Sequence, residues 1–176
     1  LLYLFLLGTG ILLLMYYRPT TAEAYGSVVE ITNRVPYGWL IRGVHHWAAN
    51  LMIVTVFLHM ARAFYTSAYK APREFNWLVG LGLWGLTLAL SFTGYLLPWD
   101  QLAYWAITVG TNIASAAPFI GNQIRFVLLG GNQIDQNTLL RFYVLHCFFL
   151  PTLVLLLFSW HMWRVRKDGG LACVDH

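Results

Sequence analysis

The chain has 176 residues, 59% of them hydrophobic and 10% charged, with a mean hydropathy of +0.59. Soluble domains carry about 25% charged residues, so this composition excludes an ordinary soluble enzyme and points to a membrane protein. The net charge of +4 calls for no nucleic-acid partner, because the basic residues flank apolar runs. Cys147 and Cys173 form neither a metal-ligand spacing nor a disulfide framework.

Four apolar runs follow in order. The first, helix A over about residues 1–17, is short for a bilayer span and ends at Arg18 and Pro19. It opens without a charged n-region, so no cleavable signal is expected; opening mid-run without methionine, it is expected to continue upstream. Helix B (about 38–65), helix C (about 77–97) and helix D (about 138–166) each reach the roughly 20 residues that a span needs. Trp39, Trp77, Trp99, Trp105 and Trp163 stand near the segment ends, as an interfacial aromatic belt would. Between C and D lies a long stretch rich in Gly, Asn and Gln, with apolar patches AYWAITVG and APFIG. It is expected to form short helices, about 101–128, at the membrane surface.

Basic residues set the orientation. Arg62, Lys70 and Arg73 outnumber Glu74 between B and C, and Arg164, Arg166 and Lys167 follow D. On the opposite side Arg18 and Arg34 balance Glu23 and Glu30, and Arg125 and Arg141 balance Asp100 and Asp135. The positive-inside rule therefore puts the B–C connection and the C-terminal tail on the inner side.

Histidines carry the chemistry. His45 and His59 are 14 residues apart on B; His146 and His161 are 15 apart on D. At about 1.5 Å and 100° per residue, each spacing covers roughly 21–22 Å and returns to within about 40° (14 steps) or 60° (15 steps) of one face. Segments B and D both run from outside to inside, so His45 faces His146 near the outer side and His59 faces His161 near the inner side. Paired imidazoles on facing helices suit bis-histidine haem, an electron-transfer site. Arg42, Arg62 and Arg141 lie within five residues of these histidines and could pair with haem propionates. Gly80 and Gly94 on C repeat the 14-residue spacing, and Gly10 on A offers a third site where an absent Cβ would clear a flat macrocycle. A single membrane histidine more often packs or hydrogen-bonds than ligates, but two matched pairs argue otherwise. Glycines are common in membrane helices, so their spacing adds less. His46 points about 100° from His45 and reads as a surface residue; His176 has no context.

Several runs resemble a known family. GWLIRGVHHW, FLHMARAFYTSAYKAPRE, TGYLLPWDQLAYWA, LLRFYVLHCFFLP and HMWRVRKDGG are similar to cytochrome b of the quinol-oxidising cytochrome bc complexes, over nearly the whole chain. The 15-residue spacing, YYRPT and KAPRE resemble the b6-type branch of b6f complexes, as does the stop just after the fourth helix; mitochondrial-type members have 14 in both pairs. The resemblance implies one all-α domain, 1–176: a transmembrane four-helix bundle enclosing two haems b, with short surface helices between the third and fourth spans. It implies that His45 and His146 hold a low-potential outer haem and His59 and His161 a high-potential inner one. It assigns Arg42 to the outer propionates, and Arg62 and Arg73 to the inner ones. Arg166 and Lys167 would serve an inner quinone site, and Phe92, Trp105, Ala106 and Val109 would border outer quinol oxidation. Expected partners are a Rieske iron–sulfur protein, a c-type cytochrome and a subunit-IV-like chain carrying the C-terminal half of cytochrome b, in a dimeric complex. The membrane would be a bacterial cytoplasmic or thylakoid one.

There are departures. The outer-site glutamate motif belongs to the C-terminal half, so this chain alone would not complete that site. The b6-type cysteine for an additional covalent haem c near the inner side would lie upstream of Leu1; Cys173 is on the correct side but in another segment. His46 stands where b6 has an arginine. The function expected is a dihaem electron-transfer subunit of a quinol:electron-acceptor oxidoreductase, coupled to proton translocation and inactive alone. One alternative is the dihaem anchor of another quinol-linked enzyme, against which the PWDQ run and the long surface loop argue. A histidine-based haem carrier is the other; it would need broken helices at the ligands, and Pro151 is the only candidate kink.

Overall fold

A bilayer offers no water to backbone N–H and C=O groups, so apolar spans must satisfy them internally as helices. In the computed structural model, which describes residues 1–169, the described residues are helical with no strand. In order they are α1 (Leu2–Leu14), α2 (Ala24–Asn33), α3 (Gly38–Tyr65), α4 (Glu74–Leu96), α5 (Gln101–Ser115), α6 (Gly121–Leu129), α7 (Gln136–Val144), a π-helical turn (Leu145–Phe149) and α8 (Leu150–Lys167). Cys173 and His176 lie outside the described residues. Helix α7, the π turn and α8 run on as one helix of 32 residues. That helix, α3 and α4 are the three long and apolar enough to cross a membrane, which makes this an integral membrane protein. Helix α1 has 13 residues, about 20 Å, and is shorter than the roughly 30 Å apolar layer.

Helix α1 packs on α3, α3 on α4, and α4 on α8. Their outward faces are apolar and exposed, including Phe57, Leu58, Phe148 and Leu156, as a lipid-facing surface requires. Midway along the bundle the Tyr3 hydroxyl donates to the Pro151 carbonyl at 2.6 Å, joining α1 to α8.

The outer ends are fastened by polar contacts. The Tyr17 hydroxyl donates to the Leu97 carbonyl at 2.6 Å. The Gln136 amide donates to the Pro19 carbonyl and accepts from the Thr21 N–H, both at 2.8 Å. Arg18 pairs with Glu30 at 2.8 Å, and that hydrogen bond raises the Arg18 pKa. Helix α2 was not among the sequence expectations. Its buried Ala24, Ser27 and Ile31 form one stripe at helical spacing, packed toward α3.

The PWDQ run makes a corner. Trp99 has a left-handed φ of 54°, which costs about 1–2 kcal/mol for a residue with a Cβ. Asp100 then caps α5, accepting from the Ala103 N–H at 2.8 Å; such caps contribute about 1 kcal/mol. Ala103, Ile107 and Thr111 form the buried stripe of α5. With Leu96, Leu129 and Phe142 the first two build the main buried cluster, and Trp99, Ala106, Ile134 and Leu145 pack against it. Asp135 and Thr138 form a reciprocal capping box that starts α7.

Candidate functional site

The four histidines meet as two pairs. His45 and His146 have ring centroids 6.3 Å apart with an interplanar angle of 78°. His59 and His161 have 6.4 Å and 83°. The two sites are therefore nearly the same in shape, although their spacings along the helices differ by one residue.

The π turn reconciles them. In an unbroken α-helix 15 steps would leave His161 about 100° out of phase with a 14-step partner. A π turn closes i→i+5 and inserts one residue without advancing the helical register. The Leu150 N–H bonds to the Leu145 carbonyl, five residues back, and His146 lies inside the turn. Fifteen residues on this helix thus present the same face as 14 on α3, which replaces the 60° offset expected from sequence. Pro151 supplies the reason: its ring clashes with the carbonyl four residues back in α geometry, and it has no N–H to donate.

Hydrogen bonds fix the tautomers of the outer rings. Thr9 Oγ1 donates its proton to the Phe5 carbonyl at 2.6 Å, so at 2.8 Å from His45 Nδ1 it can only accept. Thr93 Oγ1 likewise donates to the Ala89 carbonyl at 2.8 Å and lies 3.2 Å from His146 Nδ1. That nitrogen is also 3.0 Å from the Leu90 carbonyl, an acceptor. Both Nδ1 atoms therefore carry hydrogen, and both Nε2 atoms keep a free lone pair for a metal.

Glycines make room for the rings. A Cβ on Gly94 would lie 2.5 Å from His146 Cε1, 3.0 Å from Nε2 and 3.1 Å from Nδ1. A Cβ on Gly10 would lie 3.4 Å from His45 Cε1, and one on Gly80 would lie 3.5 Å from His161 Cε1. Gly10, Gly80 and Gly94 are thus placed against the imidazoles themselves, which sequence reasoning had not specified.

These residues fit a haem better than a bare ion. Each site offers two imidazoles, and among the described residues no group of three or more His, Cys, Asp or Glu side chains is placed to hold a metal. A protein-only zinc-type site needs three or four ligands; a porphyrin brings its own equatorial set. His45 with His146 and His59 with His161, at centroid separations of 6.3 and 6.4 Å, are the residues that would hold it.

The other expected site residues are more dispersed. Arg42 and Arg62 are exposed near the ends of α3. Arg141 is engaged with protein: its guanidinium donates to the Val127 carbonyl in the last turn of α6, where a cation also suits the helix dipole. Phe92 stacks edge-on with Phe142. Trp105 and Val109 are exposed on α5, and Ala106 packs against the buried cluster. Gly110 went unnoticed in the sequence; a Cβ there would meet Phe92 Cζ at 2.8 Å, so it lets α5 close on α4. At the inner end, Arg166 and Lys167 are exposed, with Lys167 Nζ 5.0 Å above the Trp163 ring. Beside them Arg73 Nε, Asn76 Oδ1, His161 Nδ1 and Arg164 Nε are buried without hydrogen-bond partners among the described residues. Arg164 and Asp168 pair at 3.3 Å, a contact that sequence reasoning missed; their i,i+4 spacing was its signal.

Comparison with known proteins bears on this geometry. The sequence profile of the family described as Cytochrome b/b6/petB matches residues 1–169. Cytochrome b6 of Heliobacterium mobile is 47% identical over 161 residues, covering 92% of this chain and 76% of that protein. Cytochrome b6 of Gracilaria tenuistipitata var. liui is 43% identical over 167 residues, covering 95% and 78%. A chain of a solved structure titled Hyperthermophilic respiratory Complex III superposes with a TM-score of 0.87 at 32% identity, covering 95% of this chain and 45% of that one. This chain therefore belongs to the cytochrome b/b6 family.

Proposed function

We propose that this chain is the dihaem electron-transfer subunit of a quinol:electron-acceptor oxidoreductase of the cytochrome bc/b6f type. The observation that carries the proposal is the pair of matched bis-histidine sites at two levels between α3 and the continuous helix of α7, the π turn and α8, with centroid separations of 6.3 and 6.4 Å. Two haems b, when bound there, supply one-electron relays across most of the apolar layer. His45 and His146 hold the outer group, and His59 and His161 the inner one. Gly10, Gly80 and Gly94 keep the rings seated, and the two threonines fix the outer tautomers. Arg42 and the inner-side Arg62 and Arg73 offer guanidinium partners for propionates, whose burial needs pairing.

The outer face of α5, with exposed Trp105 and Val109 beside Phe92, borders quinol oxidation and is completed by another chain, the subunit-IV-like half of cytochrome b. Quinol there would give one electron to a Rieske-type iron–sulfur partner, which feeds a c-type cytochrome, and the other to the haem that His45 and His146 would hold; its two protons would leave on the outer side. Quinone at the inner end, near Arg166, Lys167 and the buried polar cluster, takes up electrons and inner-side protons. The complex is dimeric. Helix α3 is unbroken through both of its histidines, which disfavours a transient carrier.

Redox titration of the complex in membranes tests this. Two low-spin b-type components per chain are expected. His45→Ala and His146→Ala should remove one and the same component, and His59→Ala and His161→Ala the other. A single component in the parent, or His45 and His59 variants that lose the same one, would refute the assignment.

A further inference from the structure

One arrangement occurs three times around the histidine rings. On α1 Thr9 and Gly10 face His45. On α4 the Leu90 carbonyl, Thr93 and Gly94 face His146. Earlier on α4 Gly80 faces His161, and the residue before that glycine is Val79. In both outer sets the threonine directly precedes the glycine. The three sets differ at one position, where the outer sites have threonine and the inner has valine. Valine has nearly the shape of threonine and lacks only the hydroxyl acceptor. Accordingly, among the described residues His161 Nδ1 is buried with no hydrogen-bond partner.

We infer that Thr9 and Thr93 are positioning residues that hold the outer haem at a lower reduction potential than the inner one, and that Val79 is the inner site's missing acceptor. The inference rests on the dihaem reading above. An acceptor on Nδ1–H draws that proton and raises the electron density and basicity of Nε2. A more basic axial nitrogen stabilises ferric iron over ferrous, so reduction becomes harder. Both outer ligands donate this bond to a hydroxyl oxygen whose own proton is already given to a carbonyl. An electron passing from the outer to the inner site moves against the field of an energised membrane, and a downhill step in potential offsets that work.

The expected size is a five- to tenfold shift in the reduction equilibrium per hydroxyl, equivalent to about 40–60 mV for one electron. The assay is an optical redox titration of the whole complex in its membrane. Thr9→Val and Thr93→Val should each raise the lower-potential component and leave the higher one in place. The Thr93 variant should move it less, because the Leu90 carbonyl remains. Thr9→Ser, which keeps the hydroxyl, should restore the parental value. Val79→Thr should lower the higher-potential component; a Cβ on Gly80 would clear His161 by 3.5 Å, close to the 3.4 Å at Gly10, where Thr9 reaches its ring. The near-infrared charge-transfer band of the ferric outer haem should move toward neutral-imidazole character in Thr9→Val, which a packing role alone would not produce.

Thr→Val variants that bind both haems with the lower potential unmoved or lowered would overturn the inference. So would Val79→Thr with the higher component unmoved, and that variant decides alone should the Thr→Val proteins lose a haem. A parent with fewer than two b-type components would instead refute the dihaem reading on which this stands.

Discussion

Replacing Gly94 with alanine adds one methyl group and should cost the outer haem. Its Cβ would lie 2.5 Å from His146 Cε1, with Nε2 and Nδ1 at 3.0 and 3.1 Å. Ordinary van der Waals contact begins at 3.4 Å, so the ring must retreat by about 0.9 Å. It has little freedom to do so, because Nδ1 is tied to Thr93 and to the Leu90 carbonyl on the same helix that carries the new methyl. Overpacking of this kind typically costs about 1–3 kcal/mol, and displacement by a sizeable part of a bond length takes Nε2 off the iron axis. Gly80→Ala and Gly10→Ala serve as controls, since their added Cβ atoms would sit at 3.5 and 3.4 Å from the nearest ring atom. Haem content by pyridine haemochrome and reduced-minus-oxidised spectra should show loss or distortion of the outer component in Gly94→Ala alone. Parental spectra and potentials in Gly94→Ala would refute the reasoning, as would equal damage in all three variants.

Deleting Phe149 together with Pro151→Ala should yield a plain α-helix with 14-residue spacing and both haems retained. The same deletion with Pro151 kept forces proline into an α-helix interior, at about 3 kcal/mol or more, and should lose the outer component; a double variant without that component would contradict the π-turn account. Tyr17→Phe removes the bond to the Leu97 carbonyl and should destabilise the outer corner by about 1 kcal/mol, read as a lower thermal midpoint with both haem potentials unchanged. Arg141→Ala should loosen the α6–α7 connection, seen as faster proteolysis near Gly130, and leave the haem spectra intact; a shifted outer potential would return that arginine to the propionates.

The spans were legible because their information is local. Apolar runs of 20 or more residues, interfacial tryptophans and the bias of Arg and Lys each act within one segment, and helix α3 occupies Gly38–Tyr65, where the sequence expectation lay. The histidine pairs were legible for the same reason, since spacing along a helix fixes height and face. Helix α2 escaped because its buried stripe of Ala24, Ser27 and Ile31 is weakly apolar and gains meaning only against α3. The π turn escaped because periodicity arguments assume uniform α geometry, and Pro151 was read as a kink rather than as an inserted residue. The part played by Gly94 was half legible: its spacing from Gly80 was evident, but contact with the imidazole depends on how closely α4 approaches α8.

The two ends of the bundle solve different problems with the same fold. At the outer end the protein satisfies most of its own polar groups, Arg125 Nε excepted: Tyr17 on Leu97, Gln136 on the backbone at Pro19 and Thr21, Asp100 and Asp135 on helix N-termini, and threonines on both histidines. At the inner end, four buried polar atoms from the start of α4 and the end of α8 have no hydrogen-bond partner among the described residues. Leaving a buried donor or acceptor unmatched costs about 1–3 kcal/mol each. Preorganisation at one end suits ligands whose electronic state must be fixed, and unsatisfied donors and acceptors at the other suit anionic or exchangeable groups. The asymmetry between Thr93 and Val79 on a single helix follows the same division.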